Sequence, residues 1–353
     1  MKWKPRFVSF LANRQKMSAT YHILTQKDLH PSSQFEHDFS SDVLIGLSRM
    51  PKQLSSKYFY DDRGSQLFQE IMELPEYYLT SCEFEIISEQ KEKISQDMAG
   101  EPFNLVEFGV GDGRKTKILL NNFLKKGFEF HYIPIDISEA AMKTLIKSMN
   151  KEFPTLKTEG IVAEYFDGLK WLNNTVYRKN LVLFLGSNLG NFDKAHSRAF
   201  LHNLWNILNK GDSVVIGFDL KKDIDLMLKA YNDSRGVTAE FNLNLLRRIN
   251  RELGGNFDLE KFRFYAGYDV FSGAIESYLV SLERQEVFIE KIGQSFVFDS
   301  WESIHTEYSY KYLESDIEEL AASTGFLIKK QLYDSKRYFV DSVWSVNKQN
   351  RHG

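Results

Sequence analysis

The feature that most constrains the fold is an alternation of short apolar, β-rich runs with helical patterns between residues 103 and 219. In one helical pattern, SEAAMKTLIKSM, Ser138 is a natural N-cap and apolar side chains recur every three or four residues. Strands that alternate with helices form a parallel sheet with right-handed crossovers, so the sequence predicts a doubly wound α/β domain. The predicted strands are FNLVEF at 103–108, HYIPIDI at 131–137, EGIVAEYF at 159–166, NLVLFLG at 180–186 and DSVVIGFD at 212–219.

After Asp219 this alternation is interrupted. The stretch VTAEFNLNLLRRINRELGG predicts an amphipathic helix that ends at Gly254, and AGYDVFSGAIESYLVSLERQEVFI predicts two strands around a turn. We assign both to an insertion. The closing stretch, SDIEELAASTGFLIKKQLYDSKRYFVDSVWSV, returns to a helix and two strands, and a hairpin of these strands would complete the sheet.

The beginning of the chain gives a weaker signal. Residues 1–40 lack sustained periodicity and carry the loop-like stretch HPSSQFEHDFSSD. Their basic start has an apolar run too short and broken for a secretory signal. We expect a leader or a loosely docked arm.

Charge and cysteine content exclude several classes of partner. A formal net charge of −3 gives no electrostatic footprint for nucleic acid, and no polybasic block or long apolar segment indicates a membrane. Cys82 is the single cysteine, which excludes an internal disulfide and favours a reducing cytoplasm. The eight histidines are scattered, so we expect no metal site. A small molecule is the expected partner, and a monomer the expected state.

Aromatic residues make up 14% of the chain, and two neighbouring stretches are rich in them, KYFYDDRGSQLF at 57–68 and ELPEYYLT at 73–80. Such rings are often ordinary core residues. The adjacent Asp61 and Asp62 predict a capped turn, held by an ion pair with Arg63. The excess of aromatic residues nevertheless points to a ligand site.

A glycine-rich turn, EFGVGDGRKT, follows the first predicted strand. Its glycines allow close approach of a ligand to the backbone, but Arg114 stands where a dinucleotide fingerprint needs its third glycine. The spacing resembles the first motif of Rossmann-like S-adenosylmethionine-dependent methyltransferases. That resemblance implies that Asp136 binds the ribose hydroxyls and that Glu164 and Tyr165 lie beside the adenine.

Longer blocks extend this resemblance to one family, the histidine-specific Nα-methyltransferases that form hercynine in ergothioneine biosynthesis. It covers roughly residues 45 to 347. The blocks are LSSKYFYDDRGSQLFQEIMELPEYYLT, EFGVGDGRKT, LFLGSNLGNF, GFDLKKD, AYNDSRGVTAEFNLNLL, INRELGGNFD and HTEYSYKY.

The resemblance implies a class I methyltransferase sheet with an inserted α+β substrate-binding domain. The implied segments are an N-terminal extension (1–40), a helical part contributing to the substrate site (41–95), an S-adenosylmethionine-binding core (96–220), the insertion (221–312) and a C-terminal part completing the sheet (313–353).

Residue roles follow from the matching blocks. The implied cofactor contacts are Gly109, Gly111, Lys115, Asp136, Glu164 and Tyr165. Tyr60 lies near the point of methyl transfer and Phe68 lines the amine pocket. Tyr77, Asn191 and Tyr231 hold the amino and carboxylate groups of the substrate. Glu307 and Ser309 bind the imidazole.

These residue types suit methylation of an amine. Tyrosine hydroxyls accept an N–H bond without adding charge, and aromatic faces attract the quaternary ammonium that forms as methyl groups accumulate. Tyr60, Phe68 and Tyr77 would form such a cage. Glu307 and Ser309, two residues apart on an extended segment, share one face and can fix one imidazole tautomer.

Two other functions stay open. An Nα-methyltransferase for another aromatic amino acid would keep the fold and cofactor, and Ser277, where relatives carry methionine, allows this. A non-catalytic binding protein would be expected to have lost the cofactor positions, which this sequence retains.

Overall fold

A computed structural model describes residues 19–24, 39–98, 100–111, 113–175 and 178–348. The strands are β1 (Thr20–Ile23), β2 (Lys52–Gln53), β3 (Phe103–Phe108), β4 (Phe130–Asp136), β5 (Glu159–Val162), β6 (Lys179–Phe184), β7 (Ser213–Asp219), β8 (Phe262–Asp269), β9 (Ala274–Ser281), β10 (Gln285–Ile289), β11 (Gln294–Phe298), β12 (Ser303–Tyr310), β13 (Phe326–Tyr333) and β14 (Phe339–Val346).

The helices lie between these strands and over both sheets. They are α1 (Phe39–Ser48), α2 (Asp62–Met72), α3 (Tyr78–Ser95), α4 (Arg114–Lys125), α5 (Glu139–Glu152), α6 (Tyr165–Thr175), α7 (Lys194–Ile207), α8 (Ile224–Lys229), α9 (Val237–Leu253) and α10 (Glu314–Thr324). In this described part of the chain, no helix combines the length and apolar character needed to cross a bilayer.

The large sheet has the order β1-β5-β4-β3-β6-β7-β14-β13. Strands β5, β4, β3, β6 and β7 are parallel, and β14 and β13 close the sheet as an antiparallel hairpin. Every residue of β3 and β7 is buried, as expected for parallel strands covered by helices on both faces. The predicted class I methyltransferase sheet and its terminal hairpin are confirmed.

Two predictions about this sheet were wrong in detail. The strand predicted over 159–166 ends at Val162, because α6 already begins at Tyr165. Part of the N-terminal arm is docked, since β1 pairs in parallel with β5 at the sheet edge, whereas residues 1–18 and 25–38 lie outside the described residues. Three of the four β1 residues are exposed, so the strand carries no apolar alternation that the sequence could reveal.

A second sheet has the order β2-β12-β9-β8 and packs beside the predicted helix α9. This helix ends at Gly254, whose φ of +68° is typical of a helix C-cap. The stretch predicted as two strands around a turn forms three, since β10 follows β9 and pairs with β11. Strand β2 comes from upstream of the core and pairs in parallel with β12, which joins the N-terminal helical part to the insertion.

The turn before α2 is capped as predicted, although its ion pair has a different partner. Asp61 accepts the N–H of Gly64 at 2.7 Å. It pairs with Arg251 of α9 at 2.6 Å, whereas Arg63 contacts Glu70. The prediction that Arg63 is the ion-pair partner was therefore wrong. The pair of Asp61 with Arg251 holds the segment that carries Tyr60 against α9.

Candidate active site

A cavity of about 820 Å³ opens at the carboxyl ends of the parallel strands, between the large sheet and the second sheet. Ligands bind at this edge in open α/β sheets. An adjoining cavity of about 30 Å³ shares part of its wall. All predicted cofactor and substrate residues line one or both cavities: Tyr60, Phe68, Tyr77, Gly109, Gly111, Lys115, Asp136, Glu164, Tyr165, Asn191, Tyr231, Glu307 and Ser309.

The glycine turn brings the backbone to the cavity wall. Gly109 and Gly111 have φ values of +73° and +49°, which favour glycine. A Cβ atom at Gly109 would lie 3.2 Å from the Tyr165 hydroxyl, whereas one at Gly111 would meet open space. The open space at Gly111 leaves the backbone accessible to a ligand.

Asp136 ends β4 with its carboxylate fixed by backbone amides. Oδ2 accepts the N–H of Val110 and Oδ1 accepts that of Ser138, both at 2.8 Å. Burial raises the pKa of Asp136, and these hydrogen bonds oppose the rise. The carboxylate lines the cavity, and its remaining lone pairs suit two hydroxyl donors.

Lys115 lies in the first turn of α4, after the glycine turn, and is ion-paired with Glu83 of α3. Burial disfavours the charged form of Lys115, but the adjacent carboxylate outweighs this effect and raises its pKa. Glu83 is fully buried and also accepts the N–H of Gly186 at 2.7 Å. The sequence analysis missed Glu83, because its partners lie in other elements and meet it only in the folded chain.

Tyr165 and Glu164 lie where β5 gives way to α6. The Tyr165 ring stacks on Phe108, with centroids 4.9 Å apart, and meets the edge of Phe184 at 5.6 Å. Glu164 is half-exposed and lies 4.0 Å from Lys57 Nζ. The two residues form a flat aromatic wall with a carboxylate at its rim.

The aromatic residues from the two predicted stretches meet in one pocket. Tyr60 and Phe68 have centroids 5.5 Å apart, and Phe68 and Tyr77 6.3 Å apart. Tyr231 lies 6.1 Å beyond Tyr77, and Phe241 of α9 completes the group at 5.6 Å from Tyr60. Burial raises the pKa of Tyr60, Tyr77 and Tyr231 well above the usual range, so their hydroxyls stay neutral. Phe241 was not among the predicted residues.

Polar side chains close the far end of this pocket. Burial raises the pKa of Glu307 to about 7, a shift that the Lys311 ammonium opposes. The Ser309 hydroxyl lies 2.6 Å from that of Tyr231. Lys311 was missed, yet polar residues at the alternate positions 307, 309 and 311 were the signal.

His305 lies in the wall of the cavity as a buried ring. Burial lowers its pKa to about 4, so the ring is neutral at physiological pH. It lies between Tyr278 and Tyr308, with centroids 5.3 and 4.1 Å away.

Comparison with known proteins identifies the family of the chain. The family model described as histidine-specific methyltransferase, SAM-dependent, matches residues 39–346. The chain is 34% identical over 283 residues to the histidine N-alpha-methyltransferase of Mycobacterium tuberculosis, covering 80% of this chain and 87% of that protein. It is 30% identical over 282 residues to ergothioneine biosynthesis protein 1 of Schizosaccharomyces pombe, covering 78% of this chain and 36% of that protein.

A more distant relative is named for a different substrate. The chain is 24% identical over 316 residues to a 4-dimethylallyltryptophan N-methyltransferase of Claviceps purpurea, covering 83% of this chain and 91% of that protein. The family model nevertheless spans the second sheet, every strand of the large sheet except β1, and all the predicted site residues. The chain therefore belongs to the histidine-specific, S-adenosylmethionine-dependent methyltransferase family.

Proposed function

We propose that the protein transfers methyl groups from S-adenosylmethionine to the α-amino nitrogen of L-histidine, giving the trimethylated product hercynine as a step of ergothioneine-type biosynthesis. The observation that carries this proposal is Glu307, a carboxylate at the polar end of an aromatic pocket, next to the Ser309 hydroxyl. Together they offer an acceptor and a hydroxyl to a ring with two nitrogens. The histidine named in the relatives' descriptions supports the same substrate.

The residues at the sheet edge fit S-adenosylmethionine. The open backbone at Gly111 accommodates a close ligand, and the anchored Asp136 carboxylate suits a ribose diol. Lys115 would contact the charged amino-acid end, and Glu164 and Tyr165 the adenine. When bound, S-adenosylmethionine supplies an electrophilic methyl group.

The aromatic pocket would orient and hold the amine. Tyr60 and Tyr77 keep neutral hydroxyls, so they can accept an N–H bond without placing a negative charge beside the cofactor. Asn191 and Tyr231 would hold the carboxylate and the amine. As methylation removes the N–H donors of the substrate amine, the ring faces of Tyr60, Phe68 and Tyr77 offer the methylated ammonium cation–π contacts of ~0.5 to 2 kcal/mol each.

Another aromatic amino acid is the second candidate, since a relative named for a tryptophan derivative aligns over most of the chain. Ser277 pairs across the sheet with Glu307 and leaves a smaller side chain there than methionine would. An indole N–H can donate to Glu307 but the indole ring has no nitrogen acceptor for the Tyr231 and Ser309 hydroxyls, and a phenyl ring has neither group, so both leave buried polar atoms unpaired. Histidine is therefore the better substrate for this pocket.

Product analysis tests the proposal. The purified protein is incubated with S-adenosylmethionine and one amino acid at a time: histidine, tryptophan or tyrosine. The masses of the products are then measured by mass spectrometry. We expect histidine to gain three methyl groups, and the other two amino acids to react far more slowly. Methylation of tryptophan or tyrosine in preference to histidine would contradict the substrate assignment while leaving the methyltransferase assignment intact.

Histidine binding is expected to weaken as the pH falls below about 7. Burial raises the pKa of Glu307 to about 7, so at lower pH the empty pocket holds a protonated carboxyl that must lose its proton to accept a ring N–H. His305, with its pKa lowered to about 4 by burial, does not titrate in this range, nor do the buried tyrosines Tyr60, Tyr77 and Tyr231. Burial lowers the pKa of Lys311, its ion pair with Asp219 opposes this shift, and the residue is present in both the parent and the control below. Calorimetric titration of histidine into protein saturated with S-adenosylhomocysteine, from pH 5.5 to 8, measures the slope of histidine affinity against pH.

The control for this titration is Glu307→Gln, which has no ionisable group at that position. The imidazole of free histidine, with a pKa near ~6.5, and Glu107, whose pKa burial raises to about 7, titrate in both proteins. The slope below pH 7 should therefore be shallower in the variant. An unchanged slope would exclude Glu307 as the titrating group.

We propose that the protein acts as a monomer in the cytoplasm. Each residue assigned to the site comes from one chain, so the proposed chemistry needs no residue from a second copy. Cys82 is buried and free, which suits a reducing compartment.

A further inference from the structure

Lys311 lies behind the substrate pocket with a fully buried side chain. Its ammonium donates to three acceptors: Asp219 Oδ2 at 2.7 Å, the Tyr231 hydroxyl at 2.9 Å and the Ser309 hydroxyl at 2.9 Å. A lysine ammonium has three N–H donors and no acceptor. Each donor of Lys311 is therefore directed at a defined oxygen.

This arrangement limits how the neighbouring hydroxyls can bond. Tyr231 and Ser309 both accept from Lys311, and their own hydroxyls lie 2.6 Å apart. Either hydroxyl can donate to the other, so one hydroxyl proton lies between the two oxygens and the second proton remains. Both side chains line the smaller cavity, so the remaining O–H can donate to a ligand there.

Glu307 provides the complementary group. It lines the same cavity two residues before Ser309, and an ionised carboxylate only accepts hydrogen bonds. The pocket thus combines one acceptor with one outward donor. A neutral imidazole has one N–H donor and one nitrogen lone pair, whereas an imidazolium has two donors.

We propose that Lys311 is a positioning residue that makes the Tyr231–Ser309 pair a hydrogen-bond donor, so that the pocket selects the neutral imidazole ring of the amino-acid substrate. This inference rests on the proposed function. Lys311 acts through the two hydroxyls and does not itself touch the ring. Without it, both hydroxyls can rotate and accept as readily as they donate.

A purely structural role for Lys311 would be to neutralise Asp219, and Lys222 provides a matched control for that role. Lys222 is also ion-paired with Asp219 and nearly buried. It donates to Tyr78 at 2.9 Å, and Tyr78 also donates to Asp219. Removing either lysine takes a cation from the same carboxylate, but among these contacts only those of Lys311 reach Tyr231 and Ser309.

The test compares Lys311→Met with Lys222→Met in the full-length enzyme. We expect Lys311→Met to raise KM for histidine roughly 10- to 100-fold with kcat changed less than about threefold, as for loss of charge-assisted positioning. Lys222→Met should change KM less than about threefold. Both variants should lower the unfolding temperature similarly and bind S-adenosylhomocysteine as the parent does. Equal KM effects of the two variants would overturn the proposal.

A double-mutant cycle with Ser309→Ala tests whether Lys311 acts through the hydroxyl pair. If it does, Lys311→Met has a much smaller effect in the Ser309→Ala background, whereas a structural role gives additive effects. If Lys311→Met alone does not fold, the Asp219→Asn, Lys311→Met double variant removes both charges together and is measured in the same way. An unmodified enzyme without activity on histidine would refute the proposed function. An active one whose KM is insensitive to Lys311→Met would refute only this inference.

Discussion

Replacing Glu307 with Gln is expected to lower kcat/KM for histidine roughly 10²- to 10³-fold, because a buried charge-assisted hydrogen bond is lost and an amide N–H₂ can face the ring N–H. The carboxylate lies at the end of the pocket whose other walls include Tyr60, Phe68 and Tyr77. Among the described residues that line the smaller cavity, Glu307 is the only acidic one. Steady-state kinetics with histidine as the varied substrate measures the loss.

Glu276→Gln is the matched control for this variant. Glu276 lies on β9 of the same sheet, where it accepts from Ser272 and Tyr278, so the same charge is removed outside the pocket. We expect its kcat/KM to stay within about threefold of the parent, as for most substitutions away from a site. A Glu307→Gln enzyme that retains parental kcat/KM would contradict the role assigned to the carboxylate. S-adenosylhomocysteine binding, unchanged in both variants, shows that each is folded.

Replacing Asp136 with Asn is expected to weaken S-adenosylhomocysteine binding roughly 100-fold, because two ribose hydroxyls would lose a charged acceptor. The change also has a structural cost. Asp136 accepts one backbone N–H on each oxygen, from Val110 and Ser138, so the amide nitrogen of Asn would face one of these donors. Affinity and stability must therefore be measured separately, by calorimetric titration and by thermal unfolding.

Asp212→Asn separates the two effects. Asp212 is buried and accepts backbone N–H groups on both oxygens, from Asn180 and Asn209, each at 2.8 Å. Burial raises the pKa of both Asp136 and Asp212. We expect the two variants to lose similar unfolding free energy, with weaker S-adenosylhomocysteine binding only in Asp136→Asn. Comparable affinity losses in the two would show that Asp136 acts through stability alone.

The sequence predicted those parts of the fold whose signal is local. Buried parallel strands such as β3 are mostly apolar, and helix α5 begins after its N-cap, Ser138. Most residues of strand β1 are exposed, and strand β2 is only two residues long, so neither strand carries a periodic pattern. Their positions depend on partners far along the chain, β5 and β12.

The same distinction applies to the site. Residues that follow strand ends or lie in unusual motifs, such as Asp136 and Glu307, could be predicted from the sequence and its family resemblance. Glu83 could not, since its partners Lys115 and Gly186 come from other elements and meet it only in the folded core. Lys311 likewise contacts Asp219 and Tyr231 only in the folded chain, since each lies about 80 or more residues away in the sequence.

A structure of the enzyme with S-adenosylhomocysteine and histidine would test the account most directly. We predict a ring nitrogen within about 3.2 Å of the Glu307 carboxylate, and the α-amino nitrogen among Tyr60, Phe68 and Tyr77. The reverse orientation, with the imidazole in the aromatic cage and the amino group at Glu307, would contradict the proposed recognition of the ring and the proposed site of methylation together.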